Sequence, residues 1–205
     1  MIYSMSPQET AVKVVKEWFG YQSTFEMECA LRAIREIAPK VILEIGVAHG
    51  ASLAAWAEVT EPETVIALDP EDIPRTPEQL KSFNNLASTY KFERIGRYSR
   101  DPKAHEILKT ILNGRKIDFL FIDGAHGFDD VKYDFYNYQQ YMAPNGVVGF
   151  HDIYFCEALV DAGSQVNWLW DRLKLRYAYD EFQYHSSMGI GFIYLGQPAV
   201  PSAHK

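Results

Sequence analysis

The sequence has 205 residues, of which 47% are hydrophobic and 23% are charged, so it is long and apolar enough for one sizeable domain with a core. Its formal net charge is −7, with 20 Lys and Arg against 27 Asp and Glu. That balance speaks against a general nucleic-acid binder, which usually carries a basic surface, and we expect no nucleic-acid partner.

Cysteine content and hydropathy indicate the compartment. The two cysteines, Cys29 and Cys156, are too few for a disulfide framework and suit a reducing environment. The N-terminal residues lack the apolar stretch of a secretory signal, and no apolar run is long enough to span a bilayer. We therefore expect a cytoplasmic protein without a membrane partner.

Helix and strand signals alternate over the first three quarters of the chain. Capping boxes at 6–9 and 23–26 each open a helix, and Met27, Leu31 and Ile34 then repeat at helical spacing. The apolar runs predict strands at 41–45, 64–69, 91–96, 117–123 and 147–152. Further helices are predicted at 51–60, from 76–77 onward, from 101–102 to 113–114, and over 131–142.

The last quarter has a different pattern. A helix is predicted over much of 154–175, followed by strands at 176–185 and 189–196. The short polar link between these two strands cannot hold a crossover helix, so the pair should be antiparallel. The alternation upstream predicts an α/β fold with a mainly parallel sheet and helices on both faces.

No linker or repeat divides the chain, so we expect one domain over residues 1–205. Its parts would be N-terminal helices at 1–40, a ligand-binding βαβ core at 41–152, and a C-terminal helix and strand pair at 153–196.

A glycine-containing turn follows the first predicted strand directly. Gly46 and Gly50 would let the backbone turn tightly and approach a ligand beyond the carboxyl ends of the strands. The spacing from Glu44 is E-x-G-x-x-x-G, which matches neither the dinucleotide fingerprint nor a P-loop. Asp69 ends the second strand, where a carboxylate can accept hydrogen bonds from a ribose diol. Together they suit a ligand with an adenosine and no pyrophosphate.

The segments VILEIGVAHGAS, VIALDP, FLFIDGAH and APNGVVGFHD resemble class I S-adenosylmethionine-dependent methyltransferases in order and spacing. More narrowly, they are similar to the branch that includes macrolide-sugar, rhamnosyl and cephalosporin-type O-methyltransferases, over roughly residues 22–195. The resemblance implies a Rossmann-like sheet of seven strands whose last two form an antiparallel hairpin. It also implies methyl transfer with S-adenosylmethionine as the cofactor.

By this similarity, the glycine-containing loop would wrap the methionine and ribose, Asp69 would hold the ribose hydroxyls, and Ser99 would lie near the adenine. Arg97 and Tyr98 depart from the family's Gly-Asp-Ser stretch beside Ser99. Asp123 would lie by the methionine amino group or by a metal. The implied cofactor contacts are Glu44, Gly46, Val47, Ala48, Gly50, Ser52, Asp69, Ser99 and Asp123.

A second polar group follows the fourth and fifth strands, with Asp123, His126, His151 and Asp152 at neighbouring strand ends. Two mechanisms are open. In the first, His126 is a general base that takes the proton of a hydroxyl group, with Asp123 beside it. In the second, Asp123 and Asp152 hold a divalent cation such as Mg²⁺, which lowers the pKa of the acceptor hydroxyl. Metal-using relatives carry a second carboxylate where this chain has His151, and Mg²⁺ prefers oxygen ligands.

Structural interpretations also remain open, since the glycines could form an ordinary turn and His126 could cap the following helix. The sequence favours an O-methyltransferase acting on a small hydroxylated metabolite such as a sugar or natural product. The alternatives are a non-catalytic cofactor-binding or regulatory protein and a nicotinamide-dependent oxidoreductase. The tyrosine-rich segment 133–142 leaves a homo-oligomer interface as an open alternative to core packing.

Overall fold

The structure is a computed structural model that describes residues 5–17, 22–70, 77, 80–155, 163–185 and 187–199. One seven-stranded sheet runs through these residues. Its strands are β1 Val41–Ile45, β2 Thr64–Leu68, β3 Lys91–Ile95, β4 Ile117–Ile122, β5 Met142–His151, β6 Tyr177–Phe182 and β7 Ile190–Pro198. Their spatial order is β3-β2-β1-β4-β5-β7-β6. The first five strands are parallel, whereas β7 runs antiparallel to both β5 and β6, which confirms the predicted fold class.

Helices cover both faces of the sheet. They are α1 Pro7–Glu17, α2 Thr24–Ile37, α3 Ala51–Thr60, α4 Lys81–Thr89, α5 Pro102–Leu112, α6 Phe128–Tyr138 and α7 Val166–Leu173. Helices α1 to α4 pack on one face around Trp56, and α5 to α7 pack on the other around Trp170. Burial on both faces explains why β1 and β2 are continuous apolar runs rather than alternating ones. None of the helices in the described part of the chain is long and apolar enough to cross a membrane.

Local sequence explains several helix ends. Ser23 caps α2, because its side chain accepts from the Glu26 amide while the Glu26 carboxylate accepts from the Ser23 amide. Asp101 caps α5 in the same sense by accepting from the Lys103 amide at 2.9 Å. Asn113 then ends α5 in the left-handed conformation.

Two predicted helices differ from the structure. The helix expected over much of 154–175 is not continuous, because residues 163–165 are not helical and the Gln165 amide, just before α7, donates to the His126 carbonyl at 2.8 Å. Residues 156–162, including Cys156, lie outside the described residues. The helical pattern expected over 131–142 ends at Tyr138, since a 3-10 turn follows and Met142 already pairs with Ile117 in the sheet.

Candidate active site

The register of the parallel strands brings several strand ends to one edge. Ile45 at the end of β1 pairs with Leu68 of β2 and with Ile122 of β4, and Ile122 pairs with Phe150 of β5. The residues that follow must therefore lie side by side beyond the carboxyl edge of the sheet, where ligands bind in open α/β folds. They are Gly46, Asp69, Asp123 and His151.

The glycine-containing loop touches the end of β4. Gly46 has φ +81°, and a Cβ built on it would lie 2.1 Å from the carbonyl oxygen of Asp123. Only glycine allows both this φ and this approach. Gly50, with φ +77°, then starts α3. The two glycines are therefore required by the backbone, and the first of them lets the β1 and β4 loops pack together.

Asp69 folds the loop back onto the end of β2. Its Oδ2 accepts hydrogen bonds from the amides of Val47 at 2.6 Å and Ala48 at 2.9 Å. Ala48 has φ +43°, an uncommon conformation for a residue with a side chain, and this contact helps to hold it. Asp69 thus has a structural role in shaping the loop, beside the ribose contact expected of it.

Glu44 and Ser52 lie behind the loop. The Glu44 side chain is fully buried, and Ser52 Oγ donates to its Oε1 at 2.6 Å. Burial raises the pKa of Glu44 well above its usual range, and the nearby carboxylates of Asp123 and Asp69 raise it further. A cationic ligand at this edge of the sheet would relieve that crowding of negative charge.

Ser99 lies between β3 and α5 and contacts α6. Its carbonyl accepts from the Tyr138 hydroxyl at 2.9 Å, and Asp134 lies beside it on the same helix. Asp134 is 2% exposed, and its Oδ1 has no hydrogen-bond partner among the described residues. Burial raises the pKa of Asp134 to about 6. Sequence reasoning missed this carboxyl, although its position three residues after Val131 and four before Tyr138 places it on the buried side of α6.

Asp134 should make stability depend on pH. Its folded pKa of about 6 lies above the ordinary 3.8, so between these values the folded protein keeps a proton that the unfolded chain has lost. Stability should therefore fall by about 3 kcal/mol as pH rises through this window. Asp134→Asn, which cannot ionise, should remove that fall in urea denaturation at pH 4.5 and 7.5. The matched control is Asp130→Asn on the same helix, whose side chain is 45% exposed. An unchanged pH slope in Asp134→Asn would contradict the assignment.

Four polar residues at the ends of β4 and β5 form what we call the strand-end cluster: Asp123, His126, His151 and Asp152. His151 Nδ1 lies 3.3 Å from Asp123 Oδ1 and 3.0 Å from Asp152 Oδ1. His126 Nδ1 lies 3.1 Å from Asp152 Oδ2, and its Nε2 lies 3.6 Å from Asp123 Oδ1. His151 and Asp152 are buried, whereas the His126 side chain is 37% exposed. The structure therefore brings all four predicted residues together and leaves His126 as the member most open to an incoming molecule.

The carboxylates and imidazoles of the cluster shift one another's pKa values toward the charged forms. Burial opposes ionisation of Asp123, but His151 and His126 outweigh it and hold the pKa of this carboxyl well below its usual range. The contact with Asp123 raises the pKa of His126, which Asp152 raises further. Burial acts to lower the pKa of His151, yet Asp123 and Asp152 raise it well above its ordinary value. Asp152 is aimed at both imidazoles from a left-handed backbone, with φ +62°.

Gln22 also reaches the cluster, and sequence reasoning did not single it out. Its Nε2 donates to Asp123 Oδ2 at 3.4 Å, across 101 positions of sequence. The side chain is 5% exposed, and its Oε1 has no hydrogen-bond partner among the described residues. No local motif marks Gln22, because its role depends on how the segment before α2 packs over the sheet.

Three members of the cluster could hold a divalent cation. Asp123, His126 and Asp152 each offer one ligand atom, and these atoms lie within 4.8 Å of one another. This mixed set suits a cation that accepts imidazole, whereas Mg²⁺ prefers oxygen ligands. His151 Nδ1 is already within 3.3 Å of both carboxylates, so the set fits Mg²⁺ poorly.

Fold and site together define a ligand-binding α/β protein with a glycine-containing loop beside a cluster of imidazole and carboxylate groups. Residues 43–153, more than half of the chain, match the family model described as a methyltransferase domain. The chain belongs to this methyltransferase domain family. The resemblance to class I methyltransferases is thereby confirmed.

One curated protein is similar to about half of the chain. Over 114 residues the chain is 37% identical to the uncharacterized protein R132 of Acanthamoeba polyphaga mimivirus, a match that covers 54% of this chain and 50% of that protein. The chain thus spans about half the length of this curated relative.

Solved structures share the fold. The O-methyltransferase TomG from Streptomyces achromogenes, solved in complex with SAM, superposes with a TM-score of 0.63 at 18% identity, covering 96% of this chain and 92% of that one. The MycE methyltransferase of the mycinamycin biosynthetic pathway, in complex with Mg, SAH and mycinamycin VI, gives a TM-score of 0.60 at 17% identity. That match covers 99% of this chain and 57% of MycE.

Proposed function

We propose that this protein is an S-adenosylmethionine-dependent O-methyltransferase that acts on a small hydroxylated metabolite, such as a sugar or another natural product. The observation that carries the proposal is the pairing of His126 with Asp152 at 3.1 Å, beside the loop that starts at Gly46. An imidazole oriented by a carboxylate is an arrangement that suits a general base.

The cluster assigns a role to each of its members. Asp152 Oδ2 lies 3.1 Å from His126 Nδ1, and a proton on Nδ1 facing this carboxylate would leave Nε2 able to take a proton. Nε2 lies 3.6 Å from Asp123 Oδ1, so a hydroxyl that donates to Nε2 would lie beside this carboxylate. Asp123 stabilises the imidazolium that forms when the proton is taken. His151, buried between the two carboxylates, holds both in place.

The strand-end carboxylates and the loop fit the cofactor. S-adenosylmethionine, when bound, supplies a methyl group on a cationic sulfonium centre. The carboxylates of Asp123 and Asp69 lie close enough to Glu44 to raise its pKa. A ligand with ammonium and sulfonium charges therefore complements this edge of the sheet. The glycine-containing loop would bind the methionine part, and Asp69 would accept from the ribose hydroxyls.

Calorimetric titration of S-adenosylmethionine tests the proposal. We expect saturable binding that Asp69→Asn weakens by at least about tenfold, the value of one charge-assisted hydrogen bond. Asp118→Asn is the matched control, because Asp118 Oδ2 also accepts from two backbone amides, those of Lys40 and Val41, but at the opposite edge of the sheet. Absence of binding to the wild-type protein would refute the proposal, and equal weakening by both variants would refute the role of Asp69.

We expect turnover to be independent of added metal. A divalent cation would be held by Asp123, His126 and Asp152 and would lower the pKa of the acceptor hydroxyl. His126 cannot both ligate that cation and take the proton, and His151 Nδ1 already lies within 3.3 Å of both carboxylates. Methyl transfer in EDTA should therefore stay within about twofold of the untreated rate, against the far larger losses seen when a catalytic metal is removed. Loss in EDTA with recovery in Mg²⁺ or Mn²⁺ would show that the metal-dependent mechanism operates.

We further propose that residues 1–205 act as one methyltransferase domain in the cytoplasm. The continuous sheet from β1 to β7 supports a single unit, and the net charge of −7 supports a small-molecule acceptor over nucleic acid. Gel filtration at several concentrations would test whether it forms a homo-oligomer.

A further inference from the structure

A small cavity lies beside the loop that carries His126. Its volume is about 170 Å³. Two exposed aromatic side chains form its apolar walls: Phe155 is 69% exposed and Trp168 is 53% exposed. The described lining residues are Phe155, Gly163, Ser164, Gln165, Asn167 and Trp168.

Hydrogen bonds fix this cavity to the strand-end cluster. The Gln165 amide donates to the His126 carbonyl at 2.8 Å. The Gln165 side-chain oxygen accepts from the Phe128 amide at 3.1 Å, at the start of α6. On the other side, Phe155 follows Asp152 by three residues. The cavity is therefore joined to the loops that carry both members of the His126–Asp152 pair.

The lining indicates the chemistry of an occupant. Two aromatic walls favour a planar ring, which can stack or pack edge to face against them. The remaining described side chains, from Ser164, Gln165 and Asn167, are polar and uncharged, so they can hydrogen-bond hydroxyl groups. None of the described lining residues carries a charge that would pair with a phosphate or an amine. An apolar cavity of about 150 Å³ suffices for one benzene ring.

Acidity of the acceptor points the same way. A phenolic hydroxyl has a pKa of about 10, whereas water, to which an aliphatic hydroxyl is close, has a pKa of about 15.7. The phenol is therefore the stronger acid, and proton transfer from it to an imidazole is much less uphill than from a sugar hydroxyl. An imidazole that works without a metal is therefore matched to a phenol.

We propose that this cavity is the acceptor subsite and that the acceptor is a neutral phenol, held between Phe155 and Trp168 with its hydroxyl directed to His126. This rests on the proposed methyltransferase function and narrows its substrate class. In the reaction, the phenol oxygen forms a bond to the methyl carbon as the sulfur–methyl bond breaks, leaving that electron pair on sulfur. The phenolic proton passes to His126 Nε2 and then to solvent, and the products are an aryl methyl ether and S-adenosylhomocysteine.

The test compares three acceptor probes of similar size: catechol, cyclohexane-1,2-diol and methyl glucoside. Methyl transfer from labelled S-adenosylmethionine and binding of each probe to the S-adenosylhomocysteine complex are both measured. We expect catechol to bind and to be methylated at least about a hundredfold faster than the two aliphatic probes, because of the gap in hydroxyl pKa. Failure of catechol to bind, or equal turnover of methyl glucoside, would overturn the proposal.

Variants of the cavity wall supply the second arm. Trp168→Ala should raise the KM for catechol by about tenfold, the value of one aromatic contact, with kcat little changed. Trp168→Phe should restore most of that loss. Tyr136→Ala is the control, since Tyr136 is an exposed aromatic on α6 outside this cavity.

Measurement of cofactor binding distinguishes failure of the proposed function from failure of the acceptor subsite. If S-adenosylmethionine does not bind the wild-type protein, the proposed function fails. If it binds with the same affinity in Trp168→Ala and in the wild type while that variant leaves the KM for catechol unchanged, only the acceptor subsite is refuted.

Discussion

His126→Ala should lower kcat for methyl transfer by about 10²- to 10⁴-fold, the usual contribution of a positioned general base. Affinity for S-adenosylmethionine should change little, because the His126 side chain contacts Asp123 and Asp152 and is not among the residues proposed to hold the cofactor. The measurement is single-turnover methyl transfer to a phenol, with cofactor affinity determined by calorimetry on the same preparation.

The pH profile supplies a second readout of the same residue. Asp123 and Asp152 raise the pKa of His126, and a base works only in its neutral form. Activity should therefore rise with pH, and the midpoint of this acid limb should lie above the ordinary 6.5. The acid limb should disappear in His126→Ala, because this variant has no imidazole at position 126 to titrate.

Matched variants separate catalysis from structure. His185→Ala removes an exposed imidazole outside the cluster and should leave both kcat and the pH profile unchanged. Asp152→Asn should lose part of the activity, because an amide no longer selects the Nδ1–H tautomer of His126. If His126→Ala keeps its rate while Asp123→Asn abolishes it, His126 is not the base.

Much of the fold could be predicted because local signals agreed with tertiary packing. The buried runs of β1, β2 and β4, and the caps at Ser23 and Asp101, each specify an element without reference to distant residues. The antiparallel arrangement of β6 and β7 follows from the short link between them. The helix expected over much of 154–175 is interrupted at 163–165, because its composition does not show that Gln165 bonds the His126 loop.

The site was predictable as far as it lies at strand ends. Asp69, Asp123 and His151 follow parallel strands in register, so their proximity could be inferred from sequence position alone. Gln22 and Asp134 could not be found in this way, because each meets its neighbours only through packing of a helix or loop against the sheet. The direction of two side chains was not predictable either: Asp69 accepts from the loop after β1, and Glu44 is fully buried behind that loop, which a strand-end motif does not reveal.

Gly46→Ala should be among the most damaging single-methyl changes in the chain. The new Cβ would lie 2.1 Å from the Asp123 carbonyl oxygen and 2.3 Å from the Gly124 Cα, and both are backbone atoms that cannot rotate away. The φ of +81° adds strain for any residue with a side chain. We expect a loss of at least about 4 kcal/mol, the range that marks a specific steric failure.

Gly114→Ala separates the two causes. Gly114 has φ +83°, almost the same backbone conformation, but a Cβ there meets no atom within 4 Å. It should cost only the conformational penalty of about 1 kcal/mol. The measurement is urea unfolding of both variants, and comparable losses in the two would show that φ strain alone dominates at Gly46.

The functional consequence of Gly46→Ala follows from which atoms must move. Relief of the clash requires the loop after β1 to separate from the end of β4. There the Asp123 amide donates a hydrogen bond to the Ile45 carbonyl at 2.8 Å, which holds Asp123 in place. Any folded fraction should therefore bind S-adenosylmethionine weakly and also have a displaced Asp123. Because one contact joins the loop proposed for the cofactor to the cluster proposed for the acceptor, a single methyl group should impair both, whereas Gly114→Ala should impair neither.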